Sequence, residues 1–349
     1  MRASRIGAAA LLLGALGAPA LALAKGGEEG DARFARPGAS FRAGATRLNF
    51  YCLGTGSPAV VFDAGYSDWS PAWAIVLPEV AKWTRACAYD RAGSGFSGPG
   101  PKPRTSSRIA DELLAALRDG GIRGPYILVG NAYGGLNVRT FAQRHTRETA
   151  GLVLVDGDAT GQEPRALQEA DHRSQREVVA FFTACRDALA GGKPLEVPAP
   201  SGGGRLRCDR EFFRGLPEAT WSRELNEKVA ELTRSKLAMY EALVSEMEEV
   251  AGDEAYLREH ERSLGSRPIR VLTSGHHGGG PRDAESPEGV EYQRQVASAQ
   301  AQWLALSTDA KQVFARKSSE YIQIDEPATV IQAIREVYDA VTRDAQPSK

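Results

Sequence analysis

The sequence predicts an α/β fold in which a mostly parallel sheet is flanked by helices and interrupted by a helical cap insertion. Short apolar runs alternate with helical segments over 46–159, and the same alternation returns over 266–345. Residues 160–265, between these two parts, have the pattern of helices alone. Strand–helix alternation places helices on both faces of a parallel sheet, so one core with one inserted cap is expected.

The first part of the core supplies seven strand or helix patterns in order. Strand-like runs come at "TRLNFYCLG", "PAVVFDAG" and "TRACAYD", and then "RTSSRIADELLAALRDGG" has helical spacing and a glycine stop. The wholly apolar run "PYILVG" is followed by a helix to about residue 145 and by the strand "AGLVLVD". Fully apolar strands are typical of a sheet covered on both faces.

The cap and the second part of the core follow the same logic. The clearest amphipathic stretch of the cap is "NEKVAELTRSKLAMYEALVSEMEEV". The strand "RPIRVLTSG", the helix "EYQRQVASAQAQWLALS", the strand "AKQVFARKS" and the helix "ATVIQAIREVYDAVT" then complete the chain. This order returns the chain to the sheet after one insertion.

Composition restricts the partners of the protein. The 349 residues are 42% hydrophobic and 25% charged, with a formal net charge of −1. This is an ordinary globular mixture, and it lacks the basic excess of a nucleic-acid surface. We therefore expect no nucleic-acid partner.

The N-terminus has the pattern of a secretory signal peptide over residues 1–24. Two arginines precede an apolar run of 19 residues that ends in Ala22-Leu23-Ala24, a small-x-small cleavage pattern. The alternative is an uncleaved anchor, for which the run is marginal in length. We expect an exported protein, periplasmic or secreted, with no stable membrane anchor. Residues 25–45, rich in Gly, Ala and charge, are predicted to be a flexible lead-in.

The four cysteines agree with export, because an even number in a secreted chain favours disulfides. Cys52 and Cys87 lie on strand-like runs, and Cys185 and Cys208 flank a Gly- and Pro-rich loop. Buried free thiols are the alternative. No Cys-x-x-Cys spacing is present, and we predict neither a metal site nor a cofactor.

Four segments together resemble the α/β-hydrolase superfamily, over roughly residues 46–345. They are "YDRAGSGFS" (89–97), "GPYILVGNAYGGL" (124–136), "GLVLVD" (151–156) and "EYIQIDEPATVIQAI" (320–334), in the family's order. The resemblance implies that the strands of Cys52 and Cys87 are neighbours, so a bridge between them is expected. It also implies that Cys185 and Cys208 staple the cap.

The sequence departs from the family at both reacting positions. The nucleophile's place, between Gly130 and Gly134, is Ala132, which has no oxygen to attack with. The histidine's place is Glu320, and no histidine follows His277. One engineered substitution would explain Ala132 alone, so two changes favour natural loss.

Other site residues follow from the same resemblance. Asp156 and Asp158 are the candidates for the acid of the triad, although neither has a histidine to orient. The backbone N–H of Tyr133 is expected to form an oxyanion hole with the loop at Gly65 and Tyr66. The alternative is that the glycines are kept for backbone freedom alone.

One further aromatic residue is a candidate for the wall of the binding pocket. Trp69 follows the oxyanion loop in the sequence and is expected at the pocket mouth. The other tryptophans are interpreted as packing residues.

Three functions remain open. The leading hypothesis is a pseudoenzyme or carrier that binds a small, largely apolar ligand with a carbonyl or carboxylate group, and a protein partner is possible. The alternative is a hydrolase, lyase or cyclase on an ester, lactone or related carbonyl, with Glu320 as general acid or base. A protein–protein module would instead have a collapsed pocket and an exposed apolar patch. Glu320 can also be a drifted loop residue.

Overall fold

An eight-stranded sheet forms the centre of the computed structural model, which describes residues 28–157, 165–200, 202–214, 216–276 and 285–344. The predicted signal peptide and Asp158 lie outside the described residues. In chain order the described strands are β1 (Ala39–Ala43), β2 (Thr46–Leu53), β3 (Val60–Asp63), β4 (Ala86–Tyr89), β5 (Tyr126–Asn131), β6 (Thr149–Val155), β7 (Glu196–Pro198), β8 (Arg205–Arg207), β9 (Ile269–His276) and β10 (Ala310–Ser319).

Helices cover the sheet and build the insertion. In chain order they are α1 (Glu28–Asp31), α2 (Val76–Val80), α3 (Ser106–Asp119), α4 (Tyr133–Arg144), α5 (Arg165–Ala190), α6 (Arg223–Ser235), α7 (Leu237–His260), α8 (Pro287–Ala301), α9 (Ile322–Asp325) and α10 (Pro327–Asp344). Within the described chain, no helix is both long and apolar enough to cross a membrane.

The sheet order is β1-β2-β4-β3-β5-β6-β9-β10. The β1–β2 and β2–β4 pairs are antiparallel, and the other neighbours are parallel. The residues of β5 and β6 are all buried, because helices cover both faces of these central strands. The predicted fold class, a mostly parallel sheet flanked by helices, is confirmed.

The described part of 160–265 consists of α5, α6, α7 and the small hairpin β7–β8. The sequence did not predict this hairpin, because it lies in the Gly- and Pro-rich segment between Cys185 and Cys208. The exact division between core and cap stays a prediction. Helix α7 connects the two, because its Glu246 accepts hydrogen bonds from Arg91, which follows β4.

Both expected disulfides form. Cys52 and Cys87 are directly opposite each other on β2 and β4 and are bonded, with Cα atoms 4.1 Å apart. Cys185 of α5 is bonded to Cys208, which follows β8, so the second bridge closes the hairpin against the helix. Two formed disulfides are typical of proteins that fold in an oxidising compartment.

The prediction of a flexible lead-in over 25–45 is wrong for its described part. Strand β1 pairs with β2 across five residues, and Phe34 is 1% exposed. The ring of Phe34 packs on Tyr51 at a centroid distance of 4.6 Å, and Asp31 accepts a hydrogen bond from the backbone N–H of Ser222. A single buried aromatic residue in a polar segment gives little periodic signal, although its burial is enough to order the chain.

Candidate functional site

Ala132 lies on the sharp turn between β5 and α4. Its backbone has φ 46° and ψ −119°, a conformation that costs energy for a residue with a Cβ atom. A Cβ on Gly134 would lie 2.4 Å from the carbonyl oxygen of Asp63, and one on Gly130 would lie 2.3 Å from that of Gly134. The turn that the sequence predicted is therefore present, and close packing explains its glycines.

A cavity of about 390 Å³ opens above this turn, between the ends of the central strands and the cap. Ala132 and Glu320, the two substituted positions, both line this cavity. The other lining residues are Gly65, Tyr66, Ser67, Asp68, Asn131, Ser174, Glu177, Val178, Phe181, Phe182, Pro200, Leu206, Glu211, Arg214 and Tyr321.

Glu320 is held beside the turn by its backbone. The side-chain amide of Asn131 donates a 3.0 Å hydrogen bond to the carbonyl oxygen of Glu320. The amide oxygen of Asn131 accepts a 3.1 Å hydrogen bond from Gln323. Glu320 is half-buried and lines the cavity.

Asp68 is a second carboxyl group in the cavity, and the sequence analysis missed it. Its side chain is 3% exposed, and its Oδ1 accepts hydrogen bonds from the backbone N–H of Phe213 at 3.2 Å and from the hydroxyl of Tyr321 at 3.4 Å. Burial raises the pKa of Asp68 to about 7, and the negative charge of Glu320 adds to the effect. Its only sequence signal is its place three residues after Gly65.

Asp68 Oδ2 and the methyl group of Ala132 both lie beside Gly65, and both residues line the cavity. A Cβ built on Gly65 would be 3.3 Å from Asp68 Oδ2 and 3.6 Å from the Ala132 Cβ. Among the described residues, Oδ2 has no hydrogen-bond donor, because both donors to Asp68 reach Oδ1. The cavity that contains the substituted nucleophile position thus also contains a carboxyl oxygen with no donor among the described residues.

Arg91 fixes the predicted oxyanion loop from below. Its guanidinium donates hydrogen bonds to the carbonyl oxygens of Ala64 at 2.7 Å and Gly65 at 2.9 Å. Tyr66 lines the cavity, and its hydroxyl donates to the carbonyl oxygen of Leu243 in α7 at 3.3 Å. Tyr133 begins α4, where a backbone N–H has no partner within the helix. The oxyanion hole itself stays a prediction.

Trp69 is not at the pocket mouth, contrary to the expectation. It is 2% exposed and packs on Phe213 at a centroid distance of 4.3 Å, and it is absent from the residues that line the cavity. Phe213, which follows the β7–β8 hairpin in the chain, packs over the indole ring of Trp69 and shields that ring from solvent. The sequence could not show this, because the two residues are far apart along the chain.

Asp156 is buried below the cavity and does not line it. Its carboxylate accepts hydrogen bonds from the backbone N–H and hydroxyl of Ser274, at 3.1 and 2.8 Å, and from Gln300 at 3.2 Å. These contacts join the ends of β6 and β9 to α8. Over the described ranges there is no group of three or more His, Cys, Asp or Glu side chains that could hold a metal ion.

Comparison with known proteins agrees with this geometry. Residues 58–196 match the family model described as the alpha/beta hydrolase fold. An uncharacterized protein of Schizosaccharomyces pombe is 31% identical over 170 residues, which are 48% of this chain and 29% of that protein. This chain therefore spans less than a third of that relative's length.

Two further matches cover most of both chains. An AB hydrolase superfamily protein of Gibberella zeae is 25% identical over 307 residues, 81% of this chain and 87% of its own. The structure of a thermophilic esterase from Thermogutta terrifontis has 21% identity and a TM-score of 0.56, covering 87% of this chain and 98% of the esterase. The strand order, the strained turn and these similarities together show that the chain has the α/β-hydrolase fold, with Ala132 on the turn and Glu320 beside it.

Proposed function

We propose that this protein is exported and binds a small, largely apolar ligand in the cavity without Ser-His hydrolysis. The observation that carries the proposal is that Ala132 and Glu320 both line one open cavity. A methyl group cannot form a covalent intermediate, and no imidazole is available at this position to accept a proton. The cavity volume falls within the range of small-molecule sites.

Export rests on two independent features. The first is the predicted signal peptide, and the second is the pair of disulfides, Cys52–Cys87 and Cys185–Cys208. Disulfides persist in secreted and periplasmic proteins and are rare where glutathione and thioredoxin keep thiols reduced. Both features favour the same compartment.

The first test is turnover of p-nitrophenyl acetate and butyrate by the mature protein. We expect the wild type to match the buffer rate, because it lacks a nucleophile. The matched variant is Ala132→Ser combined with Glu320→His, which returns both groups to the turn and is expected to exceed the buffer rate. Wild-type turnover that Glu320→Gln abolishes would show that the binding proposal is wrong.

A second candidate function is an enzyme that moves protons between carboxyl groups and a carbonyl substrate such as an ester or lactone. It is favoured by the pKa of about 7 at Asp68, close to Glu320, because a carboxyl that titrates near neutrality is suited to general acid–base catalysis. In this case Asp68→Asn and Glu320→Gln would each abolish turnover. Retention of turnover by either variant would exclude a role for that carboxyl.

A protein–protein module has less support. The cavity is open, and the large hydrophobic side chains exposed in the described chain are Leu206, Val290 and Phe314, on separate elements. Scattered single apolar residues are ordinary on a surface.

A further inference from the structure

We propose that the cavity is a site for an organic cation, an apolar amine whose ammonium group lies between Asp68 and Glu320. The proposal rests on the proposed function, because it names the class of ligand that the cavity binds. It differs from the ligand expected from the sequence, which has a carbonyl or carboxylate group, because an ammonium group carries a positive charge.

The charge of the cavity wall is the first argument. Among the described residues that line it, four are acidic, namely Asp68, Glu177, Glu211 and Glu320, and one, Arg214, is a cation. The guanidinium of Arg214 lies 3.6 Å from Glu211, and its side chain is 80% exposed. The positive charge is therefore at the rim and already near a carboxylate, whereas Asp68 is at the buried end. A ligand carboxylate would meet repulsion there.

The free oxygen of Asp68 is the second argument. The residue is 3% exposed, yet Oδ2 has no donor among the described residues and Asp68 lines the cavity. Oδ2 is not one of the fully buried side-chain atoms left without a partner, so it is open to the cavity, where a ligand donor can reach it. An ammonium group supplies three donors and a positive charge, so it satisfies both Asp68 and its acidic neighbour.

The apolar walls are the third argument, because they fit the body of such a ligand. Val178, Phe181 and Phe182 come from α5, and Leu206 comes from the hairpin strand β8. The ring of Tyr66 meets that of Phe182 edge-on, with centroids 5.9 Å apart. Aromatic faces also attract cations. The cavity thus combines an acidic floor with an aromatic and aliphatic side.

The affinity for an amine should depend on pH, because amine binding is linked to the ionisation of Asp68. The affinity for a neutral ligand should lack this dependence. The ionisable groups that act on Asp68 are Glu320, which raises its pKa, and Tyr321 and Arg91, which lower it. A bound ammonium favours the ionised carboxyl and lowers its pKa. Between pH 6 and 8 Asp68 loses its proton, so amine affinity should rise with pH, by at most about tenfold per unit for one linked proton.

The experiment is calorimetric titration of the mature protein with three probes of one shape: 4-phenylbutylamine, 4-phenylbutanol and 4-phenylbutyrate. We expect the amine to bind at least about tenfold more tightly than the alcohol, and the carboxylate more weakly than both. Asp68→Asn should remove the amine's advantage and leave the alcohol unchanged. Glu291→Gln on α8, which lines no part of the cavity, makes the same change in net charge and should alter nothing.

Each other outcome has a definite meaning. Equal binding of amine and alcohol, or an amine affinity unaffected by Asp68→Asn, would overturn the cation proposal and leave ligand binding in the cavity standing. Ser174→Trp places a large side chain at the exposed edge of the cavity and should weaken all three probes. Amine binding that survives this change would place it elsewhere and overturn the proposal. Failure of every probe at millimolar concentration would contradict the cation site and the proposed binding function together.

Discussion

Asp63 and Asp68 are two buried carboxyl groups on the same stretch of chain, and their surroundings are opposite. Asp63 accepts hydrogen bonds from the hydroxyl of Tyr89 at 2.6 Å and from Arg91 at 2.8 Å. Asp68 has neutral donors on one oxygen and the charge of Glu320 nearby. The first carboxylate has a bonded cation, and the second has a like charge.

The difference separates a carboxylate that stabilises the fold from one that lines the cavity. Arg91 bonds Asp63 of the core and Glu246 of α7 together, with all three side chains at most 2% exposed. Removing Arg91 leaves both carboxyl groups buried without their cation. Among the described residues no cation is bonded to Asp68, which lines the cavity, and burial raises its pKa to about 7.

The largest expected effect comes from breaking the compensated cluster. Arg91→Ala leaves Asp63 and Glu246 without their cation and should lower the free energy of unfolding by ~3–5 kcal/mol. Urea denaturation at pH 7 measures it. Arg118→Ala, which removes an exposed pair with Glu148, is the control and should cost less than about 1 kcal/mol. Similar losses in the two variants would mean that the buried cluster contributes no more to stability than an exposed ion pair does.

A smaller effect of opposite sign is expected at Asp68. Its pKa is about 7 in the folded protein against 3.8 ordinarily, so the folded state binds more protons between about pH 4 and 7. Wild-type stability should therefore fall as pH rises through this window. Asp68→Asn lacks this loss and should be the more stable protein at pH 8, by roughly 2–4 kcal/mol, with little difference at pH 4.

Urea midpoints across pH 4 to 8 test this prediction. The two proteins' curves should diverge as pH rises. Curves that stay parallel would mean that the pKa of Asp68 is not raised in the folded protein.

The smallest effect concerns the coupling between the two cavity carboxyls. Glu320→Gln removes a negative charge that raises the pKa of Asp68, so that pKa should fall. Because burial is the larger cause, the fall should be less than about one unit. The carboxyl-carbon NMR titration of Asp68, assigned with Asp68→Asn, measures it. An unchanged or higher pKa would place Glu320 too far away to matter.

The residue pattern of short segments was enough to predict the central strands and the turn after β5. The strands β5 and β6 are continuous apolar runs, and the turn at Ala132 is flanked by glycines that close packing requires. The disulfides followed from the resemblance, which makes the strands of Cys52 and Cys87 neighbours. These features depend on short segments or on a known strand order.

The surroundings of Asp68 depend on contacts over long distances in the chain, which explains why it was missed. Its donors are Phe213 and Tyr321, 145 and 253 residues away. Arg91 and Glu246, which connect core and cap, are 155 residues apart. An aspartate after a glycine-containing loop is ordinary in a sequence, and only the folded chain shows that it is buried beside another acid.

The turn at Ala132 has a consequence for how backbone strain is interpreted. Strained residues gather at active sites, so an outlier is commonly used as evidence for chemistry. Here the left-handed backbone, at φ 46°, persists under a side chain that is chemically inert. The strain is thus imposed by the crossing of β5 and α4 rather than by a nucleophile. In chains of this architecture, a strained turn identifies the scaffold and says nothing about turnover.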